Sequence, residues 1–336
     1  MYNPFPEYIK IRYKASLGNN DKLSKAKNLP STVWFKQTRG ILGGNDEACK
    51  LIQKGALEWA TKSHLDKPRR TEGGIWNDTL TINMRLLNPV ISAIGVAETF
   101  VTMSPKNREI VDPWLAKIKS NFEHGMRIEE NYNVGAMGTF VRKAAHNHAI
   151  QSSLVAMSYG SWVGDDKAFN IGLEQWNITL SSMRKDGSLP IETRRGARAL
   201  FYQGRTIAAL IQIAERAKVQ GIDLYNFPPS PEKNIHKAVE FLIEAIQNPR
   251  LVHKYAKTNH EPGPRKNYRA QHLGGDSTLS WIAPYIAQFP SHPNTIALLN
   301  FKGDESYLAQ TLMTSVWVNG VSAEWIGVDA KCFYSN

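Results

Sequence analysis

Apolar residues recur at helical spacing along almost the whole chain after residue 45, interrupted by glycine, proline and capping residues roughly every 12 to 25 positions. Strand-like alternation is weak everywhere, and residues 314–321 are the best candidate for it. About nine or ten amphipathic helices and no internal repeat argue for an all-α protein. So many helices in one uninterrupted unit fit an α/α toroid, an incomplete α/α barrel, better than a four-helix bundle.

The boundaries follow from caps and breakers. Residues 1–45 are irregular and rich in Asn, Gly, Pro and Lys, and read as an N-terminal arm or a lid over a cleft. Residues 46–336 read as a single toroidal domain. Helices are expected from Asp46, from Asp78 to about Met103 with a kink at Pro89, and from Pro105 to Phe122 with Ser104 as cap. Others are expected over 139–159, from Asp165 to Met183, from about Thr193 to Gly221, from Ser230 to Gln247, and over 277–288. A basic loop over 254–275 separates the last two, and the final 35 residues read as a short helix and an irregular tail.

With 336 residues, 42% of them hydrophobic and 21% charged, the chain has the balance of a soluble globular protein. It contains no apolar run of the roughly 18 residues a membrane helix needs. The N-terminal residues lack the basic and apolar regions of a signal peptide, so the protein is either cytoplasmic or has lost a leader. Two cysteines, Cys49 and Cys332, show no redox or metal-ligand spacing. The net charge of +11 and the 12 Tyr and 9 Trp suit a polyanion carrying flat rings, whether nucleic acid or acidic polysaccharide.

Two stretches carry chemistry. The first, residues 186–202, reads Asp-Gly-Ser-Leu-Pro-Ile-Glu-Thr-Arg-Arg-Gly-Ala-Arg-Ala-Leu-Phe-Tyr. Its opening residues cannot be regular helix, because Gly187 is free to take positive φ and Pro190 lacks an amide donor. If a helix runs from Thr193, then Arg195, Arg198 and Tyr202 rise along one face at i, i+3 and i+7. Such a row suits an anionic sugar or phosphate, and equally a solvated face. The second stretch, residues 142–152, reads Arg-Lys-Ala-Ala-His-Asn-His-Ala-Ile-Gln-Ser, and its helix places only small or polar residues around His148. His146 and His148 are two apart and would point to different sides of a helix, so they make no zinc pair. No P-loop, dinucleotide fingerprint or Cys/His cluster is present in the sequence.

Taken together, the Asn-His pair at 147–148, the stretch 186–202, Gly-Ile-Asp-Leu-Tyr at 221–225 and Trp-Ile-Ala-Pro-Tyr at 281–285 resemble the alginate lyases that cleave poly-mannuronate. The resemblance spans about residues 80–290 and is strongest in 186–225. It implies an α/α toroid with a deep substrate cleft and metal-independent β-elimination without a cofactor, leaving unsaturated uronate ends. It also implies a periplasmic or secreted location. Its catalytic asparagine, histidine, arginine and tyrosine fall on Asn147, His148, Arg195 and Tyr202. The first three would hold and neutralise the uronate carboxylate while the C5 proton leaves. A phenol in water ionises only near pH 10, so a tyrosine base needs adjacent positive charge, which Arg195 and Arg198 would supply. In mannuronate Tyr202 would serve as base and then acid; for the C5 epimer His148 would be the base and Tyr202 the acid.

His146 stands where the family has asparagine, and Ala149, Ile150 and Gln151 replace its usual aromatics, so the choice of polymer is the open point. Substrate-contact candidates are Lys36, Arg39, Arg142, Lys143, His146, Trp162, Glu192, Arg198, His260, Arg265 and Tyr285; each also fits surface or core. The expected partner is an acidic polysaccharide, not nucleic acid or membrane, and the expected state a monomer. Polyglucuronate or another uronic-acid polymer is the alternative substrate. A glycoside hydrolase, which would need two facing carboxyls such as Asp186 and Glu192, is a further alternative. A non-catalytic polyanion-binding protein is the rival from another class.

Overall fold

The helix that holds the molecule together, Asn147–Val163, has almost no polar face: twelve of its seventeen residues are buried. A helix apolar or small all round must be covered on every side. The computed structural model that shows this describes residues 46–63, 78–130, 145–196, 199–248, 250–256 and 281–300. In chain order the described helices are α1 (Asp46–Thr61), α2 (Asp78–Phe100), α3 (Pro105–Glu130), α4 (Asn147–Val163), α5 (Asp166–Ser182), α6 (Pro190–Thr193), α7 (Ala199–Val219), α8 (Ile235–Gln247), α9 (Arg250–His253), α10 (Ile282–Gln288) and α11 (Pro293–Leu299). No strand occurs among the described residues.

The helices pack as antiparallel neighbours in an incomplete α/α toroid, with α4 lying between two cores. One core gathers Ala48, Ile52, Trp59, Ile94, Leu115 and Ile118 from α1–α3, and α4 adds Val155 to it. The other gathers Ile150, Leu154 and Met157 of α4 with Trp176, Leu210, Phe241 and Trp281. Between α4 and α7 a polar pin crosses the interior: Asn88 donates to Gln212 Oε1 at 3.0 Å and accepts from Ser158 at 2.7 Å and from Arg216 at 3.0 Å.

Several boundaries differ from those read in the sequence. Helix α4 starts at Asn147, because His146 takes extended backbone angles and caps it, its ring nitrogen accepting from Ala149 N–H. The helix expected to start at Thr193 is two helices. Arg194 ends α6, Gly196 takes φ +60°, and α7 is described from Ala199. Asn234, not Ser230, caps α8, since the Ser230–Lys233 bridge holds the preceding turn outside the helix. Helix α3 runs past Phe122 to Glu130, and α11 lies between the helix expected to end at 288 and the final 35 residues, where no helix was expected. Residues 1–45, most of the 254–275 loop and the strand candidate 314–321 lie outside the described residues. No helix among the described residues is long and apolar enough to cross a membrane.

Candidate active site

Glu192 is fully buried, and everything around it follows from where its charge is placed. An ionised carboxylate in the interior needs donors on both oxygens. It finds them at the N-terminus of α4, where helix amides point outward and the helix dipole favours negative charge. Asn147 N–H donates to Oε1 at 2.6 Å, and Asn147 Nδ2 reaches Oε1 at 3.2 Å and Oε2 at 3.3 Å. The third donor is Arg195, whose Nη1 lies 3.3 Å from Oε2. The guanidinium of Arg195 in turn lies over the ring of Tyr202, 3.4 Å from its centroid. Asn147 from α4, Glu192 from α6, Arg195 from the turn and Tyr202 from α7 therefore form one connected chain of contacts.

Of this group Asn147 is buried, whereas His148 and Tyr202 are partly exposed. His148 follows Asn147 in the first turn of α4, with its ring centroid 6.0 Å from that of His146. Phe201 packs edge-on against Tyr202, with ring centroids 5.1 Å apart.

The turn bearing Glu192 is held from behind. Gln203 of α7, fully buried, accepts from Leu189 N–H at 3.0 Å and donates to Gly187 C=O at 3.1 Å. Arg184 donates to Ser188 and Thr193 hydroxyls at 3.0 and 2.8 Å and stacks on Tyr255 at 3.9 Å. Asp186 accepts from Ser188 and from the Tyr255 hydroxyl, and pairs with Lys254 at 3.3 Å. Burial alone would raise the Asp186 carboxyl, but these hydrogen bonds outweigh it and hold the group below its ordinary value. Sequence reading missed Gln203, Arg184 and Tyr255; a glutamine one residue after Tyr202, in a largely apolar helix, is the signal that could have found the first.

The structure redistributes the remaining candidates. Arg195 and Tyr202 do meet, but not through helical spacing, since Arg195 precedes α7. Glu192 is walled in and spends its oxygens on Asn147 and Arg195, so it is not placed to touch a sugar. His146 is buried as a helix cap. Trp162 lies fifteen residues further along α4, about 22 Å from Asn147 at the helical rise, bonded to Asp112 at 2.7 Å and stacked under Arg108 at 4.2 Å. Tyr285 is fully buried, its hydroxyl 2.8 Å from His236 Nδ1 and 3.1 Å from Asn294 Nδ2. Asp186 is tied to Lys254 and Tyr255 rather than to Arg195, and does not face Glu192 across a cleft as a hydrolase pair would. Lys36, Arg39, Arg142, Lys143, Arg198, His260 and Arg265 lie outside the described residues.

The sequence profile of the alginate lyases matches residues 49–252, well over half of the chain and all of the connected group. The chain belongs to the alginate lyase family. A polysaccharide lyase of Stenotrophomonas maltophilia is 28% identical over 147 residues, 44% of this chain and 40% of that protein. An alginate lyase of Pseudomonas syringae pv. syringae is 20% identical over 193 residues, 57% of this chain and 45% of that one. The match thus spans less than half the length of these curated relatives. Among solved structures, alginate lyase A1-III of Sphingomonas species A1 superimposes with a TM-score of 0.64 at 20% identity, covering 82% of this chain and 72% of that one. A further structure of alginate lyase A1-III holds a tetrasaccharide and gives 0.63. An alginate lyase from Bacteroides ovatus gives 0.51 at 17% identity, over 82% and 74%. At these identities the structures bear on the fold, and it is the toroid expected from the helix pattern.

Proposed function

We propose that this alginate lyase family member cleaves a polyuronate, poly-β-D-mannuronate first, by β-elimination. The observation that carries the reading is the single contact chain Asn147–Glu192–Arg195–Tyr202, with His148 beside it, built from three helices and a turn. The match of the alginate lyase family over residues 49–252, which include all of these groups, supports it.

The chemistry follows from the group. The C5 proton of a uronate is weakly acidic, and its removal places charge on the adjoining carboxylate. His148 and Arg195 supply N–H donors to that carboxylate, and Asn147 at the floor of the site offers it the second hydrogen of Nδ2, whose first is shared by the two Glu192 oxygens. The Tyr202 oxygen takes the C5 proton, the electron pair becomes the C4–C5 double bond, and the C4–O bond breaks. The same phenol returns the proton to the departing oxygen, which mannuronate allows because its C5 hydrogen and C4 oxygen lie on one side. In the C5 epimer they lie on opposite sides, so His148 takes the proton and Tyr202 gives one. The excess of cations, 41 Lys and Arg against 30 Asp and Glu, draws a polyanion to the surface.

The test is ultraviolet absorbance of the unsaturated product with poly-mannuronate, poly-guluronate and polyglucuronate in EDTA. Wild-type protein is expected to give a rise that EDTA leaves intact, fastest on poly-mannuronate. Tyr202→Phe is expected to lower kcat at least about 10³-fold, since one group carries both proton transfers. Release of reducing ends without new absorbance would instead establish hydrolysis.

A further inference from the structure

We infer that Glu192 is a positioning residue for the elimination: its buried carboxylate sets the amide orientation of Asn147 and aims Arg195 at Tyr202, without meeting the sugar. The kinetic part of this inference rests on the polyuronate lyase reading; the geometric part does not.

An asparagine amide has two ends of nearly equal size and opposite role, and what faces it decides which way it lies. An ionised carboxylate only accepts. Glu192 therefore admits Nδ2 on its side, at 3.2 and 3.3 Å, and turns Oδ1 away. The backbone N–H of the same residue, 2.6 Å from Oε1, fixes the distance between α4 and α6, so the amide has little freedom to swing. Arg195 is held at two points, by Glu192 at 3.3 Å and by the Tyr202 ring at 3.4 Å, with its side chain only 9% exposed. The carboxylate thereby links the groups meant for the substrate carboxylate to the phenol meant for the proton. It also offsets the charge of Arg195. The site then presents a uronate with oriented N–H donors rather than a bare cation, which favours charge developing at one place over tight ground-state binding.

Glutamine at 192 keeps the shape but both donates and accepts, so it no longer dictates the Asn147 flip and leaves Arg195 uncompensated. In the full chain, Glu192→Gln is expected to lower kcat about 10²-fold, the scale of a small misplacement, while KM for the polyuronate stays level or falls. Added to Asn147→Ala it is expected to cost little more, because both remove one arrangement. Exchange of the Asn147 side-chain amide protons, followed by nitrogen-15 NMR and assigned by their loss in Asn147→Ala, is expected to be slow in wild type and faster in Glu192→Gln. Glu192→Asp keeps the charge but loses reach, and is expected to show the same kinetic split; it stands in should the glutamine variant not fold. An unchanged Asn147 amide, a kcat within about twofold of wild type, or a loss that multiplies with Asn147→Ala overturns the inference. Should the wild type cleave no polyuronate, the functional reading falls while the amide exchange still decides whether Glu192 orients Asn147.

Discussion

Gly187 takes φ +88°, and a Cβ added there would fall on the carbonyl of Lys237 in α8. Two penalties combine, left-handed strain and displacement of a packed helix. Gly187→Ala is expected to lower stability by at least about 2 kcal/mol, read from the urea midpoint at unchanged slope. It should also cut activity, because the same turn leads into Glu192 and is tied to Gln203 through Gly187 C=O. The sequence marked this glycine correctly as a break. It could not show why the break is needed, since α8 arrives there from fifty residues further along. The same limit applies to Glu192. Its place in a specific motif was legible, but its burial and its two Asn147 donors depend on an element that the sequence does not show to be adjacent.

At the scale of elements, α4 and α5 are joined by Gly164 and Asp165 alone and must pack antiparallel at close range. Gly160 and Gly172 make that approach possible. A Cβ on Gly160 would stand 2.5 Å from the backbone nitrogen of Phe169, whereas one on Gly172 would meet only the Met157 side chain, with Sδ at 2.5 Å and Cβ at 2.9 Å. Backbone in a helix cannot yield, and a methionine side chain can turn away in part by changing rotamer. Gly160→Ala is therefore expected to cost about 2 kcal/mol or more despite alanine's better helix propensity, and Gly172→Ala clearly less. Equal losses in thermal or urea unfolding would refute this account of the pairing. The α5 cap at Asp165 and the apolar faces of the described helices were readable from residue type and periodicity. The true starts of α4 and α7 were not, because an extended His146 and the positive φ of Gly196 override a pattern that looks continuously helical.

For the molecule as a whole, acidification acts through buried neutral groups. His236 stacks on His292 at 4.2 Å beside Tyr285, and burial, then the neighbouring His292, push its pKa down to about 4. Burial lowers His292 as well, with Glu240 opposing it, and Tyr285 is pushed well above its ordinary value. Unfolded histidine takes up its proton near pH 6.5, so between that value and about 4 the unfolded chain binds more protons than the folded one. The stabilisation is complete above about pH 6.5 and is lost as pH falls toward 4. Asp186, held low, contributes above its unfolded value and fails only at more acid pH. The melting temperature is expected to fall between pH 7 and 5, and to fall less in His236→Gln, which keeps a neutral acceptor for Tyr285. Equal slopes for the two proteins would show that the histidine pair is not responsible.

The sequence by itself determined the all-α class and pointed to Asn147, Glu192, Arg195 and Tyr202 as candidates. Those properties live in local periodicity and in one long motif, which survive without knowledge of neighbours. Only the tertiary structure decided how the site is assembled. Arg195 reaches Tyr202 across a turn rather than along a helix, Asn147 stands in the first turn of α4 rather than mid-helix, and Glu192 joins them. Tyr285 and Trp162 left the candidate list for the same reason. Spacing along a chain fixes which side chains share a face, but contact between elements depends on where the backbone stops being regular and on which buried charge must find its donors.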